Sequence, residues 1–158
     1  MEKITSFTID HTKLIEGLYV SRVDRFGGET ITTFDLRMKK PNTGDVLTTT
    51  SAHTIEHLGA TYLRNHKEFG AKTVYFGPMG CRTGFYAVLH GNYSSLDVAE
   101  LMRGMFTFIV EYEGAVPGAS AVECGNFRDL SLEEAKKDAA PYLAVLKSLT
   151  AENTVYPK

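Results

Sequence analysis

Between Thr30 and Met38 the chain alternates strictly: Thr32, Phe34, Leu36 and Met38 fall on one side, and Ile31, Thr33, Asp35 and Arg37 on the other. Residues two apart share a face only in an extended strand, so this stretch must pair within a sheet. Residues 17–38 carry many β-branched side chains, and Phe26-Gly-Gly-Glu29 falls where a hairpin would turn. Two antiparallel strands are expected there. Pro41-Asn-Thr-Gly44 reads as a turn.

From Ser51 the period changes. Ile55, Leu58, Ala60, Tyr62 and Leu63 suit a helix, with Gly70 as its stop after Phe69. Two short strands, at 72–77 and 84–91, flank a loop with glycines at 77, 80 and 84 and a proline at 78, a rigid and sterically permissive backbone around Cys81. Ser94 and Asp97 cap a second helix over 95–113, whose apolar side carries Leu96, Val98, Leu101, Met102, Met105, Phe108 and Ile109. Gly114 to Ser120 is a loop. Ser131-Leu-Glu-Glu134 forms a capping box for a last helix reaching Ser148, which Pro141 should kink or interrupt. Elements of this number and order predict an α+β fold: a small, mostly antiparallel sheet packed against helices, one domain over residues 1–158.

Composition narrows the partners. Among 158 residues, 17 basic and 19 acidic side chains give a net charge of −2, which removes the electrostatic reason to expect nucleic acid. No apolar run approaches the roughly 18 residues of a membrane span. Met1 to Ser6 lacks a basic segment followed by an apolar one, so no secretory signal is read and a cytoplasmic protein is expected. There Cys81 and Cys124 are expected as thiols or metal ligands, with a single 81–124 bridge the lesser alternative.

The strongest chemical signal is His53-Thr-Ile-Glu-His57 on the first expected helix. Residues four apart lie one turn above each other, so both imidazoles share a face, and Glu56, three after His53, shares it too. Two such histidines make half of a metal site, and the carboxylate stands where it can move protons. The alternative is a surface helix with two ordinary histidines. Cys124, in Glu123-Cys-Gly125, is the better candidate for a third ligand; two His and one Cys leave a fourth position open, as catalytic sites do. Cys81 lies in its glycine-rich loop beside Arg82, a cation that would lower a thiol pKa, and reads as nucleophile, acid/base group, ligand or core residue. Ser6, His11, His66 and His90 carry no spacing pattern. Arg37, on the polar face of its strand, reads with Asp35 as a surface pair of little worth.

Taken in order, SFTIDH, FDLR, HTIEH and GPMGCRTGFY, followed by Glu-Cys-Gly, resemble the S-ribosylhomocysteine lyase family, the bacterial autoinducer-2 synthases. The resemblance runs from Ser6 to the last helix. It implies that His53, His57 and Cys124 ligate one divalent metal per subunit, natively ferrous iron, with zinc or cobalt able to occupy the site. It makes Glu56 and Cys81 the acid/base pair and Ser6, His11 and Arg37 contacts to the substrate's ribose. It further implies a homodimer with active sites at the interface, the N-terminal contacts coming from across it. The implied reaction walks the carbonyl of an open-chain ribose from C1 to C3 and then expels homocysteine by β-elimination, giving 4,5-dihydroxy-2,3-pentanedione. Two departures stand out: Tyr75-Phe-Gly-Pro78 where members often read Asp-Ile-Ser-Pro, and Phe127-Arg-Asp-Leu130 without a His common before the last helix.

Two other readings of the same residues remain. H-x-x-E-H is also an inverzincin metallopeptidase signature, although Cys124 is a poor match for that class's third ligand. A structural-metal module would need Cys81 to close a Cys₂His₂ set with His53, His57 and Cys124.

Overall fold

The computed structural model describes residues 2–157; Met1 and Lys158 lie outside the described residues. The expected hairpin forms from β1 (Gly17–Phe26) and β2 (Glu29–Arg37), antiparallel from Gly17 opposite Arg37 to Phe26 opposite Glu29. Gly27, at φ 60°, makes the turn. The other two strands, β3 (Thr73–Pro78) and β4 (Gly84–His90), add to β2 in the order β1-β2-β4-β3. Every pairing is antiparallel, so the sheet is wholly rather than mostly so.

Three helices cover one face: α1 (Thr49–Asn65), α2 (Ala99–Glu111) and α3 (Leu132–Lys147). Leu18, Phe34, Leu36, Phe76, Ala87 and Leu89 from the sheet meet Ile55, Leu58, Met102, Met105, Phe106 and Tyr142 in one core. Each such large apolar side chain contributes roughly 1.5–3 kcal/mol by leaving water. On the opposite face Tyr19, Asp35 and Tyr86 stand side by side in the strand register. Among the described residues no helix is long and apolar enough to cross a membrane.

Two helix boundaries and the course of α3 depart from expectation, each for a local reason. α1 stops at Asn65 rather than Phe69 because His66 turns extended and its Nδ1 accepts the N–H groups of Glu68 and Phe69, which leaves them nothing to offer a further helical turn. Ser94 and Asp97 do cap each other, but residues 95–98 form a turn and α2 begins at Ala99, so Leu96 is exposed instead of facing the core. At α3, Ser131 Oγ accepts the Glu134 N–H as a capping box requires. Glu134 does not close the box; its carboxylate accepts from Thr48 and Thr50 and ties α3 to the start of α1. α3 runs through Pro141 without interruption, with Ala139, Tyr142 and Leu143 buried around it, so packing outweighs the lost amide.

Candidate metal centre and thiol site

α1 places His53, Glu56 and His57 on one side, half-buried, opposite the face that packs Ile55 and Leu58 into the core. The loop between α2 and α3 then folds back over them. His53 Nδ1 lies 2.9 Å from the Asp129 carbonyl oxygen and His57 Nδ1 lies 2.7 Å from that of Pro117. A carbonyl only accepts, so both Nδ1 atoms carry a proton, and in the neutral ring Nε2 is left with the lone pair a cation needs. Cys124, on the same loop, brings Sγ to 3.4 Å from His53 Nε2. One ligand atom from each of His53, His57 and Cys124 falls within a sphere of mutual distances under 4.8 Å.

This is a donor set that fits a divalent first-row ion: two neutral imidazoles, tautomers fixed by backbone carbonyls, and one thiol. Cys81 stands outside the group among the described residues, so the closed Cys₂His₂ set of a structural site is not formed. Both cysteines are free. Gly118 explains how the loop comes so close. It sits at φ +74°, and a Cβ there would lie 3.1 Å from His57 Nδ1. The Pro117-Gly118 dipeptide is thus the sequence signal for the carbonyl that anchors His57.

Cys81 has a different setting. Its Sγ lies 3.1 Å from Thr83 Oγ1 and 3.9 Å from Arg37 Nη1. Burial works to raise the thiol pKa, but the hydrogen bonds of Thr83 and the Arg37 cation prevail, and it falls below the ordinary 9.0. The cation acting on the sulfur is Arg37, not the sequence neighbour Arg82, whose guanidinium donates to the Leu47 carbonyl at 3.3 Å. Nor is Arg37 with Asp35 a surface pair. The two side chains are 3% and 1% exposed, and Nη2 lies 2.6 Å from Oδ2. Burial opposes the guanidinium's charge, but Asp35 outweighs it and keeps Arg37 cationic. Its register neighbours on both sides, Gly17 and Gly84, are glycines.

The other candidates are less gathered. Glu56 makes no hydrogen bond or ion pair among the described residues, so its carboxylate is uncommitted. Ser6 lies in a 3-10 turn and lines a cleft of about 560 Å³ with Ser21, Thr33, Tyr75 and Tyr86, on the sheet face away from the helices. His11 folds locally, Nδ1 2.9 Å from the Ile9 carbonyl. No hydrogen bond links Ser6 or His11 to Cys81 or to the His53 cluster among the described residues. Of the two departures, the first is explained in place and the second has no structural explanation. Tyr75 Oη would stand 2.0 Å from a Cβ at Gly77, so the ring occupies the space that a serine at 77 would take, and the two changes are one. Leu130 is half-buried next to Asp129, whose backbone carbonyl holds His53.

Thr83 and the Asp129 carbonyl carry no signal in the sequence, the Pro117 carbonyl carries one only in the glycine that follows it, and Asp35 only as the neighbour of Arg37. The family model for S-ribosylhomocysteinase (LuxS) matches residues 4–153. The chain is 54% identical to the S-ribosylhomocysteine lyase of Desulfotalea psychrophila over 158 residues, 99% of each chain. It is 54% identical to that of Clostridium beijerinckii, again over 99% of each, and 51% identical to that of Borrelia garinii over 99% of this chain and 100% of the relative. With the fold, the H-x-x-E-H helix and the cysteine set in place along nearly the whole matched length, the chain belongs to the S-ribosylhomocysteinase (LuxS) family.

Proposed function

We propose that this chain is a cytoplasmic S-ribosylhomocysteine lyase, a carbon–sulfur lyase that splits the thioether of S-ribosylhomocysteine into homocysteine and 4,5-dihydroxy-2,3-pentanedione. The observation that carries it is the His53, His57 and Cys124 cluster, built as three converging ligands with no fourth protein ligand among the described residues. A divalent cation held there, ferrous iron in this reading with zinc or cobalt able to replace it, supplies a Lewis acid for the sugar's oxygens. His53 and His57 keep their Nε2 lone pairs aimed by the Asp129 and Pro117 carbonyls.

Cys81 and Glu56 do the proton work. A thiol whose pKa is lowered gives up its proton more readily, so it can take a proton from a sugar carbon and return it to the next. Glu56, uncommitted to any other side chain, moves protons between the sugar oxygens. Two such exchanges carry the carbonyl from C1 to C2 and then C3. Removal of the C4 proton beside the C3 carbonyl then forms the C4–C5 double bond as the C5–S bond breaks. The electron pair leaves on homocysteine sulfur, which is protonated on release, and the enol tautomerises to the dione. Ser6, His11 and Arg37 are proposed to hold the ribose.

Ile4 and Tyr75, 59% and 49% exposed, flank the Ser6 cleft and offer apolar area to a second copy, which supports a homodimer with Ser6 and His11 reaching the partner's site. The test is direct. S-ribosylhomocysteine is added to anaerobically purified, cation-loaded protein, and free thiol is followed with a chromogenic disulfide. Release of one thiol per substrate is expected. No release from folded, cation-loaded protein overturns the reading.

A further inference from the structure

The buried Asp35–Arg37 pair has two ends with different neighbours. At one, Arg37 Nη1 lies 2.6 Å from Thr83 Oγ1 and 3.9 Å from Cys81 Sγ. At the other, Tyr156 Oη donates to Asp35 Oδ2 at 2.8 Å from a position 121 residues further along the chain. The carboxylate then accepts three bonds: Oδ1 from Arg37 Nε at 3.1 Å, and Oδ2 from Nη2 at 2.6 Å together with the phenol.

The segment after α3 that delivers Tyr156 is seated by several independent contacts. Thr150 and Asn153 cap each other around a 3-10 turn at Ala151–Asn153. The Asn153 carbonyl lies over Gly17, where a Cβ would come within 2.2 Å, and Tyr142 Oη donates to the Gly17 carbonyl at 2.8 Å. Gly17 is also the register partner of Arg37. The missing side chain therefore serves the docking of this segment, next to the strand position of Arg37. Ser95 Oγ donates to the Thr154 carbonyl at 3.4 Å, and the Tyr156 ring stacks on buried Tyr19, centroids 4.8 Å apart and planes 10° from parallel.

We propose that Tyr156 is a positioning residue for the Cys81 thiolate: it locks the Asp35 carboxylate, which in turn holds the Arg37 guanidinium in the one orientation that presents Nη1 to Thr83 and Cys81. As a role in turnover this rests on the reading of Cys81 as the proton-transfer thiol. Its effect on the sulfur does not. A planar fork paired at two atoms has its third nitrogen fixed in direction, so an aromatic hydroxyl two residues removed from the sulfur can set where the positive charge falls.

The groups facing this chain of contacts leave Arg37 as the charge that matters. Burial, with Asp35 adding to it, pushes the Tyr19 phenol up to about 12 and the Tyr156 phenol higher still. Burial also raises Tyr86, the register partner of Asp35 on β4. All three phenols therefore stay neutral around pH 7, and Tyr156 stays a donor. Arg82, next to Cys81 in sequence, is committed to the Leu47 carbonyl.

Iodoacetamide alkylation of the full-length, cation-loaded protein across a pH series tests this, with the Cys81 and Cys124 peptides quantified separately by mass spectrometry. Wild type should show a Cys81 inflection below the ordinary thiol value. Tyr156→Phe removes only the hydroxyl and should move the inflection up, slowing alkylation at pH 7 by about 3-fold. Tyr156→Ala should move it at least as far. Profiles for Tyr156→Phe that superimpose on wild type, with circular dichroism unchanged, overturn the proposal; should Tyr156→Ala not fold, Tyr156→Phe alone decides. Wild-type protein that releases no thiol from S-ribosylhomocysteine, yet shifts its Cys81 profile in Tyr156→Phe, refutes the lyase reading and leaves this one standing.

Discussion

The His53 cluster and the Cys81 site are built by opposite means. At the cluster, two donor side chains come from one helix turn and the third from a loop, and the rings are aimed by backbone carbonyls of Pro117 and Asp129. Its charged and polar groups are half-buried, and no ion pair of short length is needed to hold it. At the second site Cys81 lies at the surface, while the groups that tune it, Asp35 and Arg37, are almost wholly buried on a central strand and clamped by a residue from the far end of the sequence. The first site is local geometry anchored to the main chain. The second is an electrostatic device assembled by tertiary contacts. A local device tolerates side-chain change around it but not backbone change; a tertiary one does the reverse.

That contrast predicts a graded set of outcomes. Cys124→Ala removes one of three ligands, and bound cation and turnover should both fall to background, measured by metal analysis and thiol release. Arg37→Gln leaves the buried Asp35 carboxyl without its cation, and should cost about 3–5 kcal/mol in denaturant unfolding while the Cys81 alkylation inflection rises. Gly118→Ala puts a Cβ against His57 at a backbone angle suited to glycine, and should weaken cation affinity by about 10-fold or more, read by competition with a chelator. Gly118→Ala with unchanged affinity would break the claim that the main chain aims the ligands.

The smallest effect is in the pH dependence of stability. The Cys81 pKa is lowered on folding, so its thiolate stabilises the fold fully only above the ordinary 9.0, and that contribution is lost as pH falls toward the lowered folded value. Wild type should therefore gain stability relative to Cys81→Ser as pH rises through that window. A difference between the two that is flat in pH contradicts the lowered pKa.

The same contrast explains what could be read in the chain. Alternation in β2 and the three-to-four period of α1 are local signals, and both elements, with His53, Glu56 and His57 on one face, follow from them. The α+β class followed too. What was misread depends on partners far along the sequence. Asp35 and Arg37 look like a solvated pair because alternation says only that they face away from Phe34 and Leu36; that Tyr156 and Thr83 cover them is invisible to periodicity. Arg82 was favoured over Arg37 as the partner of Cys81 because adjacency in sequence is all that spacing offers. The end of α1 was missed because His66 caps through its ring nitrogen, a use of histidine that helix propensity does not signal. Pro141 was over-weighted because a packed helix can forgo one amide that an isolated helix cannot.

In the proposed lyase the cation's ligands and the tuned thiol stand in separate parts: His53 and His57 on α1 with Cys124 on its covering loop, and Cys81 tuned from the sheet, with Glu56 beside the ligands as the second proton-transfer group. Cys81→Ala, loaded with cation and assayed side by side for metal content and for homocysteine release, tests this separation most directly. The account predicts one cation per chain, as in wild type, with turnover reduced by about 10²–10⁴-fold. Cys81→Ala protein that turns over like wild type, or that loses its cation along with its activity, would contradict it.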